Sequence, residues 1–170
     1  VPQRHSLPHQ LTNFIGREKE IEQLKRQLAS TRLLTLTGTG GCGKTRLALK
    51  VAGEMANDFA DGCSLVELAP VGEPTLLVKA LTSALSISEQ PGQELAEVAV
   101  RWLESKHLLL VLDNAEHMLQ ECAELATLLL RRCARLVVLV TSRERLGITG
   151  EHTWRVPSLS VPDPKQDATP

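Results

Sequence analysis

The sequence predicts a three-layer α/β domain with a mostly parallel sheet and helices on both faces. Three observations point there. Apolar runs of strand length alternate with segments of helical periodicity along almost the whole chain. Two of those runs, "HLLLVLD" (107–113) and "ARLVVLVTSR" (134–143), are continuously apolar, as strands covered on both faces are. Four of the eleven glycines crowd into "LTGTGGCGKT" (36–45), between a strand-like run and a helix-like one.

Taken in order, residues 1–13 hold two prolines, two histidines and few apolar residues, and read as an extended arm. "REKEIEQLKRQLAS" (17–30) sets Ile21, Leu24 and Leu28 on one helical face, with charges opposite. "RLLTLT" (32–37) is a short strand that stops at Gly38, and "KTRLALKVAGEMANDF" (44–59) is helical. "CSLVELA" (63–69) reads as a strand, and "PTLLVKALTSALSI" (74–87) as a helix with Pro in its first turn. "QELAEVAVRWLES" (93–105) is a helix with Leu95, Val98, Ala99 and Trp102 on one stripe. The strand 107–113 follows, then a helix over 115–132, the strand 134–143 and a fifth strand, "EHTWRV" (151–156). The expected organisation is an arm (1–13), one domain (14–157) and a linker (158–170).

The 170 residues are 42% hydrophobic and 23% charged, which suits one soluble domain of ordinary size. Net charge is −1 and no run of five Lys or Arg occurs, so this segment lacks the basic footprint of a nucleic-acid binder. Cys42, Cys63, Cys122 and Cys133 show no C-x-x-C spacing, which leaves reduced thiols as the reading. The longest apolar run, Leu108 to Leu112, is far too short for a bilayer span, and no signal pattern opens the chain. A cytoplasmic protein without a membrane partner is expected. A start at Val and a polar end suggest a segment of a longer protein.

The glycine-rich stretch explains itself chemically. Gly38-Thr39-Gly40-Gly41-Cys42-Gly43-Lys44-Thr45 fits the phosphate-loop pattern G-x-x-x-x-G-K-[ST] in its required strand-then-helix setting. Glycines let backbone N–H groups wrap a phosphate, and the following helix adds its positive end. Lys44 supplies a point charge for the β- and γ-phosphates, and the Thr45 hydroxyl is a ligand for Mg²⁺. Such a loop needs an acid at the end of another buried strand. Asp113 stands there, 69 residues after Lys44. It is the expected partner of Mg²⁺; its competing role is to cap the next helix. Arg143 ends the next strand, either as a sensor of the γ-phosphate or as a solvated arginine paired with Glu144. A general base would ideally sit at 114, but that residue is Asn. Glu116 is the candidate base, and equally an ordinary exposed glutamate at a helix start. His117 reads as a helix-surface residue.

Five segments in order, "LTNFIGREKEIEQL", "LLTLTGTGGCGKTRLAL", "LLLVLDNAEHML", "VLVTSRERLGI" and "WRVPSLSVP", resemble the nucleotide-binding (NB-ARC, or AP-ATPase-like) domain of the signal-transduction ATPases with numerous domains. The similarity is to the branch found in bacterial transcriptional regulators of the LuxR and antibiotic-regulatory types, and covers roughly residues 8–162. It implies a P-loop NTPase fold with strand order 5-1-4-3-2. It places Phe14, Ile15, Gly16 and Arg17 against adenine and ribose, and residues 38–45 with Arg46 around the phosphates. Asp113 becomes the magnesium acid and Arg143 the sensor arginine. The implied ligands are ATP or ADP with Mg²⁺; only the resemblance favours adenine over guanine. Two departures stand out. Asn114 replaces the second acid of the wider superfamily, and the chain ends where the family continues into helical and winged-helix domains that close over the nucleotide.

The expected function is an ATP/ADP switch in a multidomain signalling protein with slow Mg²⁺-dependent hydrolysis. Its partners would be the nucleotide, the other domains of its own chain and, on activation, further copies of itself, with DNA bound only through domains outside this segment. The alternative is a small-molecule P-loop kinase or other metabolic ATPase. A kinase calls for a cluster of substrate-binding charges, yet between Glu67 and Leu103 the only cations are Lys79 and Arg101.

Overall fold

The computed structural model describes residues 5–8 and 16–158. The described elements are β1 (His5–Ser6), α1 (Glu18–Ser30), β2 (Leu33–Thr37), α2 (Lys44–Met55), β3 (Cys63–Glu67), α3 (Leu77–Ala84), α4 (Leu95–Leu103), β4 (Leu109–Asp113), α5 (Leu119–Arg132), β5 (Val137–Ser142) and β6 (His152–Arg155). The sheet runs β1-β3-β4-β5-β2-β6, and every pairing is parallel. From β2 to β6 this is the expected order 5-1-4-3-2 of a three-layer P-loop fold. A sixth strand was not expected: His5 and Ser6 of the arm pair with Cys63 and Ser64 and lengthen the sheet at its β3 edge.

The continuous apolar runs follow from the pleat. Leu109 and Val111 of β4 belong to the core beneath α1 and α2, with Leu34, Leu36 and Leu139. Their neighbours Leu110 and Leu112 belong to the opposite core, under α3, α4 and α5, with Leu33, Val138 and Val140. Successive side chains point to opposite faces, so a central strand covered on both sides has no place for a polar residue until its end. Cys63 and Cys122 lie in these cores, and burial pushes both thiols up to about 12, with Asp58 and Glu121 adding to the effect. Burial likewise raises Cys133. All four cysteines are free and buried, which makes these three poor nucleophiles at neutral pH.

Three helices expected as single pieces are interrupted. The segment 74–87 opens with a 3₁₀ turn at Pro74–Leu76 before α3, and 44–59 ends in one at Ala56–Asp58. In 115–132 a 3₁₀ turn, Ala115–His117, is followed by a break at Met118 (φ −147°) before α5 starts. The cause lies at Asn114, which is left-handed at φ 68°, ψ 54° and turns the chain sharply off the end of β4. Periodicity cannot register that reversal.

Candidate nucleotide-binding site

Because the sheet is parallel, the carboxyl ends of β2, β4, β5 and β6 share one edge, where such sheets bind their ligands. The glycine-rich loop leaves β2 at Gly38 and enters α2 at Lys44. Gly43 caps α2 at φ 90°, ψ 22°, backbone that favours glycine, and no side chain caps the helix. The first N–H groups of α2 thus have no capping side chain, the arrangement that suits an anion. Gly38 answers to a different need. A Cβ there would lie 2.8 Å from Cys42 Sγ and 3.1 Å from the carbonyl oxygen of Val156. Close approach of β6 to the loop leaves no room for it.

Lys44 is 8% exposed and turned into the loop. Its Nζ donates to the carbonyl oxygens of Gly38 and Thr39, both at 2.9 Å. The ammonium therefore sits inside the cradle the glycines make, held by neutral acceptors that a phosphate oxygen would outcompete. Thr45 Oγ1 donates to Asp113 Oδ1 at 2.8 Å, and Thr141 Oγ1 donates to the same oxygen at 2.5 Å. Thr141 Oγ1 in turn accepts from the Asn114 backbone N–H at 2.9 Å. Two strands, β4 and β5, and α2 thus converge on one carboxylate. Among the described residues no cluster of three His, Cys, Asp or Glu side chains could cage a metal. Thr45 and Asp113 fit a hard cation such as Mg²⁺, which takes one or two protein oxygens and completes its shell with phosphate and water.

Glu116 is neither free nor fully exposed. In the amide orientation that satisfies both ends of its side chain, the Asn114 nitrogen donates to the two Glu116 carboxylate oxygens at 2.5 and 2.8 Å. Arg143 Nε lies 3.8 Å from Glu116 Oε1. The partner of Arg143 is thus Glu116 and not Glu144, the alternative read from the sequence. The Arg143 guanidinium also reaches the loop: a Cβ on Gly40 would stand 3.1 Å from its Nη2. His117, expected on a helix surface, is tied through Nε2 to the Val71 carbonyl at 3.0 Å.

The N-terminal signature is partly visible. Phe14 and Ile15 lie outside the described residues. The Gly16 N–H donates to Glu18 Oε1 at 3.2 Å. Arg17, left-handed at φ 66°, donates through Nη2 to the carbonyls of Cys42 (3.0 Å) and Pro157 (3.1 Å), and its Nε pairs with Glu20 at 3.5 Å. One guanidinium therefore joins the start of α1, the phosphate loop and the chain leaving β6. Sequence reading gave Arg17 a nucleotide contact; what the structure adds is this grip on the loop backbone. Arg17→Ala is expected to weaken nucleotide affinity about tenfold by releasing the loop, since hydrogen bonds from a charged donor contribute about 1.5–3 kcal/mol. Titration of the folded variant checks this, and unchanged affinity would count against it. Arg46 follows Thr45 on α2 and is exposed.

The residue that sequence reading passed over is Arg155. Thr37 pairs in register with both Ser142 and Arg155, so the end of β6 stands beside the start of the loop. The only sequence signal was the place of "WRV" at the end of a strand.

A family profile described as an AAA domain matches residues 25–148. The chain belongs to this family. A Mycobacterium tuberculosis protein named as uncharacterized is 41% identical to this AAA domain over 161 residues, covering 95% of the chain and 41% of that protein. Another from the same organism, named as an HTH-type transcriptional regulator, is 44% identical over 140 residues, covering 82% of the chain and 16% of itself. The chain thus spans less than half of either relative. A crystal structure of a STAND protein with a tetratricopeptide repeat sensor, from Pyrococcus horikoshii, superposes with a TM-score of 0.63 at 18% identity, over 91% of this chain and 25% of that one. The resemblance drawn from the motifs is borne out: this is an AAA domain whose fold matches that of a STAND protein, with a transcriptional regulator among its relatives. No described helix is long and apolar enough to cross a membrane.

Proposed function

We propose that this AAA domain is an ATP/ADP-binding switch module of a multidomain regulator, with slow Mg²⁺-dependent hydrolysis. The observation that carries the reading is the loop itself: an uncapped α2 start, Lys44 turned into the cradle, and the Thr45–Asp113 pair beside it. Arg143, set between Gly40 and Glu116, is where a γ-phosphate would be felt. A ligand shifts a conformational equilibrium only through contacts that differ between states, and a γ-phosphate offers Arg143 such a contact.

Slow turnover follows from the acid network. Asn114 accepts no proton at neutral pH, and the Glu116 carboxylate is engaged by Asn114 and faced by Arg143. Before Glu116 can act as a base, those contacts have to open. The regulator among the relatives favours a full-length protein in which other domains bind DNA and close over the nucleotide, and in which activated copies associate. Calorimetric titration of the chain with ADP and a non-hydrolysable ATP analogue, with Mg²⁺ and with turnover followed in parallel, tests the reading. Micromolar binding with turnover far below about one per second, the low end of ordinary enzyme rates, is expected. Sustained turnover above that rate would overturn the switch in favour of an ordinary ATPase.

A further inference from the structure

Outside the cradle, Arg143 and Arg155 line one cleft of about 390 Å³ together with Thr37, Gly40 and Glu144. The cleft opens along the carboxyl edge of the sheet, over the first residues of the phosphate loop. Its walls are tied together by backbone. The Val156 N–H donates to the Thr37 carbonyl at 2.7 Å, and the Val156 carbonyl presses on Gly38. Arg155, one residue earlier, is thereby held in register beside Thr37 at the mouth of the loop.

The charges in this cleft are unequal. Arg143 is shared with Glu116, whereas no carboxylate lies within ion-pair distance of Arg155 among the described residues. Among the described residues Glu144 is the only acid lining the cleft, against two arginines. Two arginines lining one cleft with the first residues of the phosphate loop suit an anion with several oxygens, which a guanidinium binds through paired N–H donors. The anion that emerges from a phosphate loop toward this edge is the terminal phosphate of a nucleoside triphosphate.

We propose that Arg155 is a second guanidinium for the γ-phosphate, so that β6 as well as β5 distinguishes triphosphate from diphosphate. This rests on the nucleotide-switch reading. It gives the strand nearest the chain exit a direct stake in the nucleotide state: Pro157, two residues on, is the residue whose carbonyl Arg17 holds.

The test is titration of the wild-type chain, Arg155→Gln, Arg155→Lys and Glu144→Gln with ADP and with a non-hydrolysable ATP analogue, each with Mg²⁺. Arg155→Gln is expected to lower the preference for triphosphate over diphosphate about tenfold, the worth of one charge-assisted contact, while ADP affinity holds. Arg155→Lys restores part of that preference, and Glu144→Gln raises it by removing the opposing charge. A parallel loss for both nucleotides, or an unchanged ratio in folded Arg155→Gln, overturns the assignment while leaving the switch reading intact. An unchanged ratio would send Arg155 to an acidic partner surface instead. Failure of the wild-type chain to bind either nucleotide overturns both readings. Arg155 is exposed on an edge strand, and equal thermal midpoints establish that the variants fold.

Discussion

Lys44→Ala is expected to reduce affinity for both ADP and ATP by about a hundredfold or more while the domain stays folded. The Nζ now satisfied by the Gly38 and Thr39 carbonyls is a charged donor turned into the cradle. Exchanging two neutral acceptors for phosphate oxygens strengthens each bond, and about 3 kcal/mol for the pair corresponds to roughly two decades in affinity. Stability should change little. Alanine removes a mostly buried ammonium whose desolvation was a standing cost, and leaves two loop carbonyls that water reaches through the cleft. Titration together with urea unfolding separates the two effects. Wild-type affinity in a variant with an unchanged unfolding midpoint would show that the loop does not hold the phosphates.

The second large effect concerns Asp113, where charge and hydrogen bonding have to be separated. Asp113→Ala strips the acceptor from both Thr45 and Thr141, and Thr141 is 1% exposed. A buried hydroxyl left without its partner costs about 1–3 kcal/mol, so that variant mixes misfolding with lost function. Asp113→Asn keeps an acceptor oxygen for both threonines and removes only the charge. With Mg²⁺ present, ATP affinity should fall about tenfold or more, because the cation loses its negatively charged protein partner. With Mg²⁺ chelated, affinity should hold or rise, because a carboxylate no longer repels the phosphates. Opposite responses mark a metal acid; equal losses under both conditions would assign Asp113 a structural role alone.

Much of this site was readable from residue spacing. The cradle occupies eight contiguous residues, and most of its requirements act locally: positive φ at Gly43, a cation at Lys44 and a hydroxyl at Thr45, while Gly38 also answers to the Val156 carbonyl of the chain leaving β6. Asp113 was equally accessible, because a strand buried on both faces admits an acid only at its end. The pairing of Arg143 was not. Glu144 is adjacent in sequence, yet the left-handed turn at Asn114 swings Glu116 across from β4 and presents its carboxylate to Arg143 instead. The same turn broke the helix expected over 115–132 into two pieces.

The sequence by itself determined the alternation of strands and helices, the two-faced burial of β4 and β5, and the chemistry of the loop. Each of these depends on side chains a few residues apart, within reach of one period or one turn. Only the tertiary structure decided where the arginines act. Arg17 grips carbonyls 25 and 140 residues away, and Arg155 stands beside the loop only because β6 pairs with β2 in a particular register. Long side chains with several donors can serve any partner that the fold brings within hydrogen-bonding distance. Their partners are therefore settled by how the strands line up, which no local pattern of residues records.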